Sequence, residues 1–184
     1  MLLKQKQLKL LQKQQVWNAL NVMDHSGLVG HATARNGSLQ LSKPWLSKSA
    51  VQLREQIDDC FPDRDRRSDG WIADARHLAS GKSDHIPDPK TAVVRAIDID
   101  KDLSQIKGIA TYLVEQIRVY AKADKAKRIN YIIFDGKICS AIGNWKYRAY
   151  KGFNKHEHHI HVSFSPAGDQ DGSFFDIPLL GGKV

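Results

Sequence analysis

Cysteine is scarce in this chain. Cys60 and Cys139 are its two thiols, too few for a disulfide framework or for a four-thiolate zinc or iron–sulfur site. Each reads as a small buried hydrophobe in a reducing compartment. Long apolar runs are missing too: no stretch reaches the roughly 18 residues that a membrane-spanning helix needs. The opening MLLKQKQLKLLQKQQVW has lysines but no uninterrupted apolar segment and no small-residue cleavage site, so no secretory signal is read there. A P-C-x-x-C motif is absent, which excludes a zinc nucleobase deaminase. No internal repeat occurs.

What remains is ordinary bulk for a single domain. The 184 residues are 41% hydrophobic and 26% charged, which suits a globular core and argues against wholesale disorder. The charge is less ordinary. Lys and Arg number 28 against 20 Asp and Glu, a net +8. Such a surface attracts polyanions: nucleic acid, anionic lipid or acidic cell-wall polymer. Charge alone does not choose among them.

Along the chain, residues 1–20 read as a basic amphipathic helix, with Leu3, Leu8, Leu10, Leu11 and Leu20 among lysines. It suits an anionic polymer, a membrane surface, or packing on its own domain. Residues 21–46 read as loop with short strands. Pro44 and Ser47 introduce a helix over about 47–60, ended by Pro62. A short helix is expected over 71–80, a strand over 93–99, and the most regular helix over 104–123. Asn130–Phe134 reads as a strand, Asp135-Gly136 as a hairpin turn and Lys137–Ala141 as the return strand. Residues 144–155 read as an aromatic, basic loop, 158–165 as another strand, and 166–184 as a tail without a clear element. The expected organisation is an N-terminal helix (1–20), a domain (21–165) and a tail (166–184). The fold class is α+β, a small antiparallel sheet with helices packed on it, because successive strands join through short or hairpin links.

Four of the eight histidines fall within six residues: His156, His158, His159 and His161. On a strand, His159 and His161 share a face while Ile160 points into the core. Two imidazoles so placed can approach one metal ion or one reaction centre. A catalytic zinc site needs three protein ligands and an open position, so the pair is incomplete by itself. The other candidates lie in SDHIPDPKTAVVRAID, residues 83–98. There His85 sits in a loop, and Asp98 in an apolar strand where a carboxylate is costly unless paired or metal-bound.

Ser83-Asp84-His85, then Arg95-Ala96-Ile97-Asp98, then His159-Ile160-His161 resemble the signature of the LAS zinc peptidases, the group of lysostaphin, D-Ala-D-Ala metallopeptidases and hedgehog. Arg67-Ser68-Asp69-Gly70 with Asp74-Ala75-x-His77 is similar to the opening of the D-Ala-D-Ala carboxypeptidase and L-alanyl-D-glutamate endopeptidase branch, phage endolysins especially. So is the run from Trp145 through Gly152 to Asn154-x-His156-x-x-His159-x-His161. The likeness spans about residues 45–165. It implies a hedgehog/DD-peptidase-like fold with Zn2+ held by His85, Asp98 and His161. It also implies a catalytic role for His159 and a further active-site role for His156. The interval from His85 to Asp98 is longer than in many relatives, which keeps Asp88 as a second choice of ligand. The acidic residue that many relatives place three before the last zinc histidine is replaced by His158. The general base therefore stays open among His159, His158 and Glu157.

The resemblance implies a zinc metallopeptidase that cleaves an amide bond of the peptidoglycan stem peptide. It would act as an endopeptidase or a D-Ala-D-Ala carboxypeptidase, in the manner of a bacteriolytic endolysin. Such a protein is expected to be monomeric, to bind no nucleic acid, and to gather in the host cytoplasm before release to the cell wall. Ser83, Arg76 or His77 would orient ligands. Trp145, Tyr147, Tyr150 and Phe153, among Lys146, Arg148 and Lys151, would rim the groove. Two other readings compete. His-Ile-His also satisfies the HUH pattern of metal-dependent DNA nicking enzymes, with Tyr112 or Tyr120 as nucleophile, though it leaves His85 and Asp98 unexplained. The third reading is a non-catalytic wall-binding module on the same fold.

Overall fold

A computed structural model describes residues 43–183. The basic helix expected over 1–20, and the boundary after it, lie outside the described residues. The described part is mixed α and β with one small antiparallel sheet and few helices. Among the described residues no helix is long and apolar enough to cross a membrane.

Strand β1 (Trp45–Leu46) pairs in parallel with β2 (Val93–Val94). Helix α1 (Lys48–Cys60) starts where the sequence indicates: Ser47 is its N-cap, and its hydroxyl accepts from the Ala50 N–H. Pro62 follows its end. Helix α2 is shorter than expected, Ala75–Ser80 rather than 71–80. Asp74 accepts from the His77 N–H and so caps the chain there, while the Ala73 N–H is drawn away to the His85 carbonyl.

The strand expected over 93–99 breaks at Arg95. Its second half is β3 (Ala96–Asp100). Arg95 turns its guanidinium outward to Asp169 and Asp88. Helix α3 runs Ile109–Ala123, five residues later than its apolar spacing suggests. Gly108 precedes it at φ 80, a left-handed conformation that suits glycine, and Ile106 stays outside the helix, exposed. Then come β4 (Ile129–Phe134), the Asp135-Gly136 turn with both residues at positive φ, and β5 (Lys137–Ser140). β6 is the pair Arg148–Ala149, and β7 is His159–Phe164.

The sheet order is β3-β7-β4-β5-β6, every neighbour antiparallel. The last strand inserts between β3 and β4, which its content explains: Ile160, Val162 and Phe164 are all buried. Period-two alternation then sorts the sheet into two faces. Ile97 and Ile99, Ile132, and the three apolar residues of β7 join Leu53 and Ile57 of α1 and Leu113 and Ile117 of α3 in one core. Asp98, Asp100, Tyr131, Ile133, His159, His161 and Ser163 fall on the other face.

Of the stretch 166–184, expected to be a tail, the described residues 166–183 include anchors in the core. They form 3-10 turns at Pro166–Gly168 and Pro178–Leu180, and Phe175, Ile177 and Leu180 are fully buried. Polar spacing residues hid this, since the three apolar anchors follow no helical or strand period. Trp145 also differs from expectation. Asn144 and Trp145 both adopt positive φ, and the Trp145 N–H returns to the Ser140 carbonyl. That tight turn puts the indole in the core rather than on a groove rim.

Candidate metal centre

The register of the sheet creates the centre. His161 of β7 lies directly opposite Asp98 of β3. Its Nδ1 stands 2.9 Å from Asp98 Oδ1. The third group arrives from the loop after α2, where His85 Nε2 lies 3.2 Å from Asp98 Oδ2 and 3.2 Å from His161 Nδ1. This loop is pinned on several sides. The His85 N–H donates to Ser83 Oγ, the Arg95 N–H to the Asp84 carbonyl, and the Ala73 N–H to the His85 carbonyl. Asp88, the second choice of ligand, is elsewhere. Its carboxylate accepts from the Lys90 and Thr91 N–H groups and from Arg95, closing the turn that absorbs the long interval between His85 and Asp98.

The spacing fits a small tetrahedral cation. Ligands about 2.0–2.1 Å from zinc stand about 3.3 Å from one another. The separations here are 2.9 and 3.2 Å. The chemistry of the group fits as well. His85, His156, His159 and His161 crowd one carboxylate, and the buried His156 Nδ1 has no hydrogen-bond partner. A buried carboxylate with ring nitrogens of His85 and His161 at 3.2 and 2.9 Å is a donor set that suits a cation.

The remaining sequence candidates divide. His159 joins the centre, with Nε2 3.7 Å from Asp98 Oδ1. His156 joins it from the loop before β7. Its ring lies 4.9 Å from that of His159 and 5.3 Å from that of His161. It adopts φ 57, and Asn154 accepts from its N–H. Glu157 and His158 are exposed and line the mouth of the cleft. His77 packs its ring 5.1 Å from that of His85 and pairs with Asp74.

The centre opens into a cleft of about 660 Å³. Of the four aromatics expected on its rim, Tyr150 and Phe153 line it. The Tyr147 hydroxyl donates to Glu115 and its ring lies under Arg118, on the α3 side. Gly152 makes room for the Tyr150 ring, because a Cβ there would fall 2.3 Å from it. Sequence reasoning missed Tyr131 and Ser163. The Tyr131 ring stacks on His161 at 5.5 Å and 21°. The Ser163 hydroxyl donates to Asp84. Burial, then Asp84, pushes the Tyr131 hydroxyl above its ordinary pKa and keeps it protonated. The alternation of β4 holds the signal, since it puts Tyr131 on the histidine face.

Burial works against charge on Asp98, yet His161 and His85 win and hold its carboxyl far below the usual range. Burial likewise disfavours a proton on His85, and Asp98 more than offsets it, so His85 titrates above its ordinary value. Burial lowers His159 in spite of Asp98. Burial, aided by His161 and His159, brings His156 down to about 4. In the metal-free protein, the Asp98 contribution is present above about pH 4 and is lost as pH falls through its lowered value. The His85 contribution is present below about pH 6.5 and is lost as pH rises through its raised value. A cation must displace the His85 proton. Affinity for a divalent cation is therefore expected to rise with pH between about pH 5.5 and about pH 6.5. Calorimetric titration checks this, and a flat profile contradicts it.

No protein-family model, curated protein or solved structure matches this chain.

Neither tyrosine of the nicking-enzyme reading lines the histidine cleft. The Tyr120 hydroxyl accepts from Arg128 and its ring packs against Phe175. Tyr112 is exposed on α3.

Proposed function

We propose that this chain is a zinc-dependent peptidase of the LAS type that hydrolyses an amide bond in the stem peptide of bacterial peptidoglycan, as phage endolysins do. The observation that carries the reading is the convergence of His85 Nε2, Asp98 and His161 Nδ1 at tetrahedral spacing, with two further imidazoles beside them and an open cleft in front. The order of short motifs supports the choice of family, and the net +8 suits an anionic wall polymer.

His85, Asp98 and His161 would hold the metal. Zinc in such a site supplies Lewis acidity towards a carbonyl and acidifies a water ligand towards a pKa of about 7. The protein supplies the rest. His159, kept neutral by burial, accepts a proton near pH 7 and returns it to the departing amine. His156, also neutral, lies against His159 and restricts its ring. Tyr131 stacks on His161 and restrains that ligand's plane. Tyr150 and Phe153 offer aromatic surface to the peptide, and Lys82 and Lys155 line the same cleft with positive charge.

The test is a digest of purified peptidoglycan by zinc-loaded protein, read by mass spectrometry beside chelated protein and a His85→Ala variant. New stem-peptide fragments, absent from both controls, are expected, and their masses identify the bond. If protein holding one zinc per chain releases no fragments, the reading fails.

A further inference from the structure

Asp98 has two carboxylate oxygens, and they face different histidines. Oδ2 meets His85. Oδ1 meets His161 at 2.9 Å and His159 Nε2 at 3.7 Å. Beyond His159 stands His156, its ring at 4.9 Å and nearly perpendicular. Asp98, His156 and His159 each place one ligand atom within 4.8 Å of the others. His156 is about nine-tenths buried, and its Nδ1 finds no partner. A buried imidazole with an unpartnered ring nitrogen, within 4.8 Å reach of a carboxylate and a second imidazole, is a candidate ligand.

We propose that Asp98, His156 and His159 bind a second divalent cation, with Asp98 bridging it to the first. The binding rests on geometry alone; its consequence for catalysis rests on the peptidase reading above. Two imidazoles and a carboxylate suit zinc or cobalt and disfavour magnesium or calcium, which prefer oxygen ligands. The second site is the weaker one, for two reasons. Its 3.7 Å separation exceeds the tetrahedral edge of about 3.3 Å, so side chains must close around the ion. A second dication also shares its one carboxylate with the first and is repelled by it. When occupied, the site consumes the lone pairs of His159 and His156. Proton transfer then stops, and excess zinc inhibits an enzyme that the first zinc activates.

The test is a titration of the metal-free full chain with cobalt(II), followed by visible absorption and by elemental analysis after gel filtration. Two equivalents are expected, the second at least about tenfold weaker than the first. His156→Ala and His159→Gln are each expected to take one equivalent, at the affinity of the first. Saturation at one equivalent, with free cobalt raised to about 1 mM, overturns the proposal and leaves the first site standing. Two equivalents retained by both variants also overturn it, by showing that the second ion sits elsewhere. A chain that binds no cobalt overturns this proposal and the metal centre together.

Discussion

On the proposed peptidase reading, replacing Asp98 with asparagine is expected to abolish peptidoglycan cleavage, by at least about a thousandfold, while leaving the metal-free protein folded. The change keeps the shape of the side chain and removes its charge. That charge faces His85 and His161 at 3.2 and 2.9 Å, with His159 and His156 beside it. Without it a cation meets only neutral ring nitrogens and loses several kcal/mol of attraction, each 1.4 kcal/mol or so being a factor of about ten. The fold survives because asparagine keeps the shape of the side chain, and neutral imidazoles are cheaper to bury than an unpaired imidazolium. Elemental analysis should show less than one zinc per chain, with the near-ultraviolet circular dichroism unchanged. Asp98→Asn protein that still holds one zinc and still cleaves would remove Asp98 from the centre.

The second large effect concerns stability and lies on the other face of the sheet. Phe175→Ala is expected to cost about 3–5 kcal/mol, the range for deleting a buried phenylalanine. The ring is fully buried. The Arg128 guanidinium lies over it at 4.1 Å, and the Tyr120 ring meets its edge at 5.4 Å. The backbone of Phe175 is held by the buried Gln56 of α1, which accepts from its N–H and donates to its carbonyl. Truncation leaves a cavity under Arg128, and Gln56 keeps the backbone from collapsing into it. For a chain of this size the loss corresponds to a fall in Tm of roughly 10 °C. Urea or thermal denaturation measures it, and a loss under about 1 kcal/mol contradicts the packing described. Metal stoichiometry below the new Tm should match that of the unchanged chain, because Phe175 sits on the helix side and the candidate ligands on the opposite face.

The two outcomes separate the two faces of one strand. β7 carries His159, His161 and Ser163 on the face of Asp98, and Ile160, Val162 and Phe164 into the core. A substitution on one side reads out as chemistry, and one on the other as stability.

That alternation is what the sequence by itself determined, since side-chain direction on a strand depends only on the backbone's period of two. The same local physics set the Ser47 cap of α1, the Asp135-Gly136 hairpin, and the placing of Asp98 within a run of apolar strand residues. The tertiary structure decided the partners. β7 enters between β3 and β4, and that register sets His161 opposite Asp98, 63 residues away in sequence. No local signal specifies which sheet edge an apolar strand will fill. His85 reaches the centre only because Asp88 and Arg95 fold the intervening turn back. Tyr131 meets His161 only through pairing across β4 and β7. Trp145 turned inward and anchors within 166–183 joined the core for the same reason. Burial follows from the space that other elements leave open, and that space exists only once the chain has folded.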